Sequence, residues 1–376
     1  MTEIVNRGYK VRIQPTNDQK ISIHKTLGCC RLVWNVSLEE RKKFYETSRD
    51  IIRGNESRTF KSQKDWKEVY PFLKEADSQA LNTTQQNLNK AYKHYFKGIH
   101  GVPHFKSKKH SKESYTTHMV NNNIRIDGDY IKIPKIGLVK MRKNRKVLPC
   151  NSIIKAVTVS KTLTGKYFVS LRLEVEQKRS SRDENFKRVI GLDFSTTHFY
   201  INNMGEKANF PSYIEQTVTK IKKCQRKMSK QVKTSKGREK TRIKLVKLYE
   251  KKRNQLKDFH HKLSNNIIKN NDIVGLESLS LKEMNSEKYF QKRIQIMGWR
   301  NFIGILTYKA HDKAVILHFS NQYYASSKTC SVCGHKKETF PLSQKTYTCE
   351  CGNVLHRDVN AAMNLSQEAM ISYLTN

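Results

Sequence analysis

The segment at residues 188–194 is RVIGLDF, a short apolar run with the carboxylate of Asp193 at its end. Its length and composition predict a buried strand, and HFYINN at residues 198–203 predicts a second strand across a tight turn. DIVGLE at residues 272–277 predicts a further strand that ends in Glu277, and Asp358 opens the last predicted helix. The order of these elements predicts an α/β domain with a βββ-α-β-α sheet.

Three acidic residues, Asp193, Glu277 and Asp358, therefore stand at strand ends or a helix start, in a segment where acids are scarce. Two-metal phosphodiester cleavage needs clustered carboxylates around two Mg²⁺ ions that lie ~3.5–4 Å apart. Strand-end positions would bring such carboxylates together at one edge of the sheet. The spacing of these acids does not exclude an alternative in which each one is a helix cap or a solvated strand end.

Four cysteines form two close pairs, Cys330 with Cys333 and Cys349 with Cys351, and a glycine follows each pair. Paired thiolates in turns that contain glycine predict a tetrahedral zinc site, and four thiolates make that zinc structural because no position stays open for water. The alternatives are two disulfides or free thiols, and the one-residue gap in the second pair also allows a loosely held metal. The remaining cysteines are predicted to be ordinary thiols: Cys29, Cys30, Cys150 and Cys224.

The charge balance of the 376-residue chain is extreme, with 72 lysines and arginines against 33 acidic residues and a formal net charge of +39. Such a chain repels itself unless a polyanion neutralises it, and nucleic acid is the polyanion we expect. No apolar run approaches the ~18 residues that span a membrane, and the N-terminus lacks the apolar core of a signal peptide. The composition therefore predicts a soluble intracellular protein of two to four modules.

The basic residues are densest between residues 220 and 262, which hold 18 lysines and arginines and 3 acids. We predict two helices, broken near residues 235–237, with an apolar stripe formed by Ile243, Val246, Leu256, Phe259 and Leu263. Phosphate contact is the predicted role, because a solvated helical face usually alternates in charge sign. Trp34, Trp66 and Trp299 either stack on unpaired bases or, as helical spacing favours, pack in the core.

The N-terminal half changes its pattern twice. Tyr9, Val11 and Ile13 alternate with basic residues and predict a strand, after which Thr16 and Gln19 form a capping-box pattern that starts a helix. A second helix is expected after Gly28 and another from Ser78, so residues 16–100 are predicted to be mainly helical. Short alternating segments from residue 115 predict a small β-barrel or wedge-like sheet, and the polar stretch at 176–187 predicts a linker.

These motifs resemble the TnpB family, the transposon-encoded relatives of type V CRISPR effectors. The likeness covers nearly the whole chain. It is carried by QPTNDQ (14–19), GCCRLVWNVSL (28–38), LKEADSQALNTTQQNLNKAYKHYFKG (73–98), GVPHFKSKK (101–109), VIGLDFS (189–195), QRKMSK (225–230), KDFHHKLS (257–264), VGLESLSLKEM (274–284), SSKTCSVCG (326–334) and CGNVLHRDVNAAMNL (351–365).

The resemblance implies a multidomain α/β protein. Its parts would be a wedge β-barrel (1–15 and 115–185), a helical recognition lobe (16–114), an RNase H-like RuvC nuclease domain (186–325 and 353–376) and a zinc-ribbon insert (326–352) that binds target nucleic acid. Asp193, Glu277 and Asp358 would be the catalytic ligands of two Mg²⁺ ions. The implied localisation is cytoplasmic and nucleoid-associated, in a prokaryote.

The resemblance also implies partners: a guide RNA from the transposon end, and target double-stranded DNA next to a short transposon-adjacent motif. In the family, the helix that begins at SQAL helps to read this motif, so Lys74, Ser78 and Gln79 are candidates for that role. A guide and target heteroduplex is held by its backbone, which requires a basic channel. The candidates for those contacts are Lys106, Lys108, Lys109, Arg226, Lys227, Arg242 and Arg253.

Two positions depart from the family pattern. Ser278 and His356 stand where relatives commonly have acids, although the three principal ligands are kept. The leading hypothesis is thus an RNA-guided, Mg²⁺-dependent double-strand DNA endonuclease, and the alternative is a nuclease-inactive, RNA-guided DNA-binding repressor. A strand-joining transposase is disfavoured because no convincing His-U-His motif with a tyrosine nucleophile is present.

Overall fold

The computed structural model describes residues 2–47, 60–109, 111–142, 152–178, 187–278, 288–341 and 344–375. It divides into two compact units, Met1–Lys178 and Arg179–Asn376. Cys150 and most of the predicted linker, 179–186, lie outside the described residues. Among the helices described, none combines the length and apolar character that crossing a lipid bilayer requires.

The first unit contains a seven-stranded antiparallel sheet. Its strands are β1 (Thr2–Gln14), β2 (Ser114–His118), β3 (Arg125–Asp127), β4 (Tyr130–Ile133), β5 (Gly137–Met141), β6 (Ile153–Lys161) and β7 (Tyr167–Lys178). Their order is β2-β6-β7-β1-β5-β4-β3. The alternation predicted for the first strand is present, since Val11 and Ile13 are buried between exposed or half-buried neighbours. Closure of this sheet into a barrel stays a prediction.

Three helices and a short 3-10 helix (Pro71–Glu75) complete this unit: α1 (Asn17–Thr47), α2 (Gln63–Val69) and α3 (Ser78–Phe96). The predicted capping box is confirmed, because the Thr16 amide donates to Gln19 Oε1 at 3.0 Å and the Gln19 amide donates to Thr16 Oγ1 at 3.3 Å. The predicted interruption near Gly28 is wrong. One glycine inside a helix costs only ~1 kcal/mol, which the burial of residues such as Ile23 and Val33 on the same helix outweighs.

The helices and the sheet of this unit share one apolar core. Ile23 and Leu27 of α1 and Leu81 of α3 belong to the same buried cluster as Val157 and Leu171 of the sheet. The residues predicted as wedge and as recognition lobe therefore pack on each other directly. The boundaries between these two domains stay a prediction.

The second unit is built on a five-stranded sheet. Its strands are β8 (Val189–Phe194), β9 (Tyr200–Asn202), β10 (Lys207–Ala208), β11 (Ile273–Leu276) and β12 (Ile316–Phe319), in the order β10-β9-β8-β11-β12. The three strands β8, β11 and β12 are parallel, and β9 and β10 add an antiparallel edge. The strands predicted at RVIGLDF, HFYINN and DIVGLE are confirmed as β8, β9 and β11. The predicted βββ-α-β-α order is also present, with a pair of helices on each side of β11 and with β12 before the last helix.

The described residues of this unit form five helices: α4 (Ser212–Ser229), α5 (Lys236–Asn270), α6 (Lys288–Met297), α7 (Trp299–Asp312) and α8 (Arg357–Leu374). The basic segment forms two helices as predicted, and Ser235 caps the second one by accepting from the Arg238 amide. Its apolar stripe was predicted incorrectly at Ile243, which is 44% exposed. Leu245 is buried instead, against Ile221 and Cys224 of α4.

The three tryptophans are all buried, between 4% and 8% exposed. The Trp34 indole donates to the His104 carbonyl at 3.0 Å, and the Trp66 indole donates to Ser37 Oγ at 3.1 Å. Trp299 contacts Phe194 and Phe199 in the core of the second unit. The prediction that they are core residues is therefore confirmed.

Helix α8 lies directly on strands β8 and β11, at two glycines. A Cβ atom at Gly191 would overlap the carbonyl oxygen of Ala362, and one at Gly275 would overlap that of Leu365. Leu192 and Leu276, which alternate with these glycines, pack on the opposite face with α5 and α7. Only glycine leaves room for a helix backbone at this distance, so the two glycines fix the height and position of α8 above the sheet.

We predict that Gly191→Ala destabilises the second unit by about 3 kcal/mol or more, because the added methyl group meets backbone that cannot move aside as a side chain would. The matched control is Gly304→Ala on the exposed face of α7, where a Cβ atom has no neighbour within 4 Å. That change should stabilise by up to about 1 kcal/mol. Urea unfolding of both variants measures the difference, and equal stabilities would contradict the assigned contact.

Candidate active site and metal centre

Two of the predicted carboxylates lie side by side on neighbouring parallel strands. Leu192 pairs with Leu276 in the β8–β11 register, so Asp193 and Glu277 occupy the next positions of their strands. Side chains alternate along a strand, so both acids face the same side as Gly191 and Gly275, which is the side covered by α8. Both side chains are half-buried.

The third carboxylate, Asp358, lies in the first turn of α8. His356 is the N-cap of this helix, and its Nδ1 accepts a hydrogen bond from the Asp358 amide at 3.3 Å. The Arg357 guanidinium donates from Nε to Asp358 Oδ1 at 3.0 Å. His356 thus supplies an acceptor that begins the helix, which is a role that an acidic side chain can also fill.

The three carboxylates interact electrostatically. Burial raises the pKa of Asp193 well above its ordinary value, and the charges of Glu277 and Asp358 raise it further, while Arg357 lowers it by less. Burial also raises the pKa of Glu277. The three acids, which come from distant segments of the sequence, are therefore brought to one edge of the sheet, where Glu277 and Asp358 disfavour the ionised form of Asp193.

This donor set fits divalent cations. Carboxylate oxygens are the hard ligands that Mg²⁺ prefers, and a cation would remove the repulsion that raises the pKa of Asp193. Among the described residues, only the four ribbon cysteines have all their donor atoms within 4.8 Å of one another, so the three carboxylates are neighbours that do not converge to that distance.

The four cysteines converge as predicted. Cys330 Sγ lies 3.7 Å from Cys351 Sγ, and Cys333 Sγ lies 3.5 Å from Cys349 Sγ. A disulfide would require about 2.05 Å, whereas four thiolates at ~2.3 Å from a tetrahedral zinc lie about 3.8 Å apart. The separations fit a structural zinc site and are inconsistent with two disulfides. The other described cysteines, Cys29, Cys30 and Cys224, are free and buried.

Each cysteine pair sits in a tight turn closed by a glycine with positive φ. The Gly334 amide donates to the Cys330 carbonyl and the Gly352 amide donates to the Cys349 carbonyl, both at 3.0 Å. Strands β13 (Thr346–Thr348) and β14 (Val354–His356) flank the second turn. The single residue between Cys349 and Cys351 is therefore enough for a closed turn. Asn353 Nδ2 also donates to Cys330 Sγ at 3.4 Å.

Polar side chains of α8 attach the ribbon to the helix that carries Asp358. Asn360 accepts from the Ser331 amide at 2.9 Å, and Asn364 donates to the Ser326 carbonyl at 2.7 Å. Gln367 donates to the Ser331 carbonyl at 2.9 Å. The sequence analysis missed these three residues. Their spacing of four and three residues in an otherwise apolar helix face is the signal that could have identified them.

The nucleic-acid candidates of the first unit have different environments. Lys74, Lys108 and Lys109 are exposed. Ser78 and Gln79 are half-buried at the start of α3, and Ser78 Oγ accepts from Lys67 Nζ at 2.6 Å. Lys106 is half-buried, with its ammonium 3.5 Å from the centre of the Trp34 ring, which makes it less available to phosphate than the exposed lysines.

In the second unit, Arg226, Lys227 and Arg253 are exposed on α4 and α5. Arg242 is also exposed, but it makes two hydrogen bonds of 2.7 Å to the carboxylate of Glu239 one turn earlier. An exposed pair of this kind contributes little to stability, so it can exchange for phosphate. The structure places these residues on the basic helices, and phosphate contact stays a prediction.

Three family models match the chain. One described as "Probable transposase" matches residues 170–288, one described as "Cas12f1-like, TNB domain" matches residues 299–365, and one described as "Helix-turn-helix domain" matches residues 1–50. The second match contains all four ribbon cysteines and Asp358. In the third, the structure has strand β1 followed by the single helix α1.

Two sequence relatives match almost the full chain, and a third matches a smaller part of it. A Streptomyces pristinaespiralis protein assigned as an RNA-guided DNA endonuclease is 29% identical over 97% of this chain and 90% of its own length. InsQ of Escherichia coli K12, assigned the same activity, is 24% identical over 96% of this chain and 91% of its own length. The TnpB-like protein MJ1635 of Methanocaldococcus jannaschii is 29% identical over 34% of this chain and 30% of its own length.

A solved structure shares the fold. The protein in a cryo-EM structure of a Cas12f1-sgRNA-target DNA complex matches with a TM-score of 0.60 at 12% identity, over 96% of this chain and 99% of that one. The fold, the acidic sheet edge and the four-cysteine ribbon together define a RuvC-type, RNase H-like domain with a zinc-ribbon insert. The family models and the relatives agree with the resemblance of the sequence to the TnpB family over nearly the whole chain.

We predict about one zinc ion per chain, lost together with local ribbon structure in Cys330→Ser and Cys349→Ser, because thiolate binding and folding are coupled. Cys224→Ser is the control, since this buried thiol lies outside the ribbon and a serine hydroxyl can still donate to the Thr241 carbonyl. Elemental analysis of the purified proteins measures the metal. A wild-type protein without zinc, or an equal loss in the control, would contradict the site.

We also predict that Asp193→Asn stabilises the protein in magnesium-free buffer near neutral pH. The folded pKa of Asp193 is raised, so folding stability declines as pH rises from the ordinary carboxyl range, ~3.9, through the folded pKa. Asparagine cannot ionise, so its advantage should be largest at pH 7–8 and shrink toward pH 5. Thermal unfolding across this pH range measures the effect.

The control for this prediction is Asp258→Asn, which removes an exposed carboxylate paired with Lys262 on α5. Its unfolding temperature should change little and show no such pH trend. If Asp193→Asn gave no gain in unfolding temperature, or the same gain at every pH, the raised pKa of Asp193 would be contradicted.

Proposed function

We propose that this protein is an RNA-guided DNA endonuclease encoded by a transposon, which cuts double-stranded DNA with divalent metal ions at Asp193, Glu277 and Asp358. The observation that carries the proposal is the meeting of these carboxylates at one edge of the β8–β11 sheet, beneath the first turn of α8. The relatives assigned as RNA-guided DNA endonucleases support the same function.

Asp193 and Glu277 would hold the metal ions from the strands, and Asp358 would hold them from the helix. Mg²⁺ ions bound there supply activation of water and stabilisation of the leaving oxygen in phosphodiester hydrolysis. The chain's own contribution is to fix the three carboxylates on rigid elements and to bury them partly, so that a bound cation would offset the cost of their charge. Arg357 keeps Asp358 oriented through its 3.0 Å hydrogen bond.

The basic helices α4 and α5 would hold the guide RNA or its heteroduplex with target DNA. Base pairing supplies sequence recognition in such complexes, so the protein needs only a surface that follows the phosphate backbone. Arg226, Lys227 and Arg253 are exposed there, and Arg242 is paired only with a solvated acid. Among the first-unit candidates, Lys108 and Lys109 suit backbone contact better than Lys106, whose ammonium already packs on Trp34.

The domain roles follow from the same family. Residues 1–15 and 115–185 would be the wedge, 16–114 the recognition lobe, 186–325 and 353–376 the RuvC domain, and 326–352 the ribbon that contacts target nucleic acid. Lys74, Ser78 and Gln79 would help to read the short motif next to the target. Lys74 is fully exposed for this role, whereas the Ser78 hydroxyl must release Lys67 to contact a base.

The decisive experiment compares cleavage and binding by the same complex. Protein assembled with RNA transcribed from the transposon end is given plasmids with a matching target and a randomised adjacent motif. Asp193→Ala should lower cleavage by about 10³-fold or more while guide-dependent binding in a gel shift stays nearly unchanged, because pairing and backbone contacts supply the binding energy. Asp358→Asn should behave in the same way.

Two controls sharpen the outcome. Asp258→Asn removes an exposed acid outside the site and should cut like the wild type. Ser278→Asp restores the acid that is common in the family and should preserve or raise the rate. Tight RNA-guided binding without cleavage in Mg²⁺ or Mn²⁺ by the wild type would leave the repressor as the function, and absence of guided binding would overturn both.

A further inference from the structure

Asp193, Glu277 and Ser320 form a row across the sheet, because they occupy equivalent positions at the ends of the neighbouring strands β8, β11 and β12. Ser320 is the third residue of this row. Leu192 pairs with Leu276, and Leu276 pairs with Phe319 of β12. The Ser320 amide extends this ladder by donating to the Leu276 carbonyl at 2.9 Å. Ser320 therefore follows β12 at the level at which Glu277 follows β11.

The Ser320 side chain points to the side of the sheet that holds the carboxylates. His318, two residues earlier, is level with Gly275, and its Nε2 lies 3.6 Å from Glu368 Oε1 of α8. His318 therefore faces α8. Because side chains alternate along a strand, Ser320 shares this face with Glu277 on the neighbouring strand.

The hydroxyl of Ser320 is buried and makes no hydrogen bond within the described part of the chain. The residue is 2% exposed, and its Oγ is inaccessible to solvent. A buried hydroxyl without a partner is unfavourable, so such a group is expected to have a partner in the working state of the protein. The adjacent Glu277 carboxylate is the acceptor that the strand register offers.

We propose that Ser320 is a positioning residue for Glu277, whose carboxylate it orients by donating a hydrogen bond when that carboxylate binds a metal ion. The inference rests on the proposed function, since it assumes that Glu277 is a metal ligand. A carboxylate has two oxygens, so one can bind the cation while the other accepts from Ser320. Partners of this kind affect metal affinity or activity by about 10–100-fold when they are removed.

A purely structural role would have different consequences. The Ser320 backbone is held by the Leu276 carbonyl whatever the side chain is, so the position of β12 does not need the hydroxyl. If Ser320 only fills space, alanine there would lower the unfolding temperature and leave metal affinity unchanged. If it positions Glu277, alanine would remove an unpaired buried hydroxyl at little cost in stability and would weaken metal binding.

The test measures Mn²⁺ binding by the RNA-bound, full-length protein, from the electron paramagnetic resonance signal of free Mn²⁺. Ser320→Ala should raise the Kd for Mn²⁺ by about 10-fold or more. Ser320→Thr and Ser320→Val form a second comparison, because threonine and valine have nearly the same shape and differ in the hydroxyl. The threonine variant should bind Mn²⁺ more tightly than the valine variant even if both are strained by the added methyl group.

Ser326→Ala is the matched control, since this serine is also buried, at 5% exposure, but lies at the start of the ribbon, away from the row of Asp193 and Glu277. It should bind Mn²⁺ like the wild type. The role of Ser320 would be overturned if Ser320→Ala bound Mn²⁺ as tightly as the wild type and Ser320→Val as tightly as Ser320→Thr. That result would not affect the proposed nuclease function. A wild-type complex that neither binds Mn²⁺ at this site nor cleaves DNA would instead overturn the proposed function and this inference together.

Discussion

The contact between the backbone of α8 and the glycines of β8 and β11 determines the geometry of the second unit. Gly191 and Gly275 leave no side chain between helix and sheet, so the carbonyl oxygens of Ala362 and Leu365 lie against the strands. Each glycine also stands two residues before an acid, so the face that accepts the helix carries Asp193 and Glu277 as well. A helix held at this height presents its first turn, with Asp358, to the strand carboxylates.

The same helix connects the acidic edge to the zinc ribbon. Its first turn carries a site acid, its small residues lie on the sheet, and Asn360, Asn364 and Gln367 bond to the backbone of the ribbon. A displacement of α8 would therefore disturb both the acidic edge and the four-cysteine ribbon. In a chain with a net charge of +39, these partly buried carboxylates are a local cluster of acids, which suits divalent cations.

The sequence predicts the strand-end acids and the ribbon well, because each follows from a local pattern: an apolar run that ends in an acid, or cysteines beside a glycine. Predictions from the sequence are wrong where packing between distant segments determines the structure. Helix α1 continues through Gly28 because the core outweighs one glycine, and Ile243 is exposed because α4 contacts the neighbouring position Leu245 instead. The row position of Ser320 depends on strand register, which only the folded sheet defines.

We propose that Asp193, Glu277 and Asp358 form one metal site. Anomalous diffraction from Mn²⁺-soaked crystals of the RNA-bound protein can show directly whether they do. Mn²⁺ substitutes for Mg²⁺ at oxygen ligands and can be located by its anomalous signal. We expect anomalous peaks between the ends of β8 and β11 and the first turn of α8, with all three carboxylates as ligands. Mn²⁺ bound elsewhere, with the three carboxylates intact and free of metal, would contradict it.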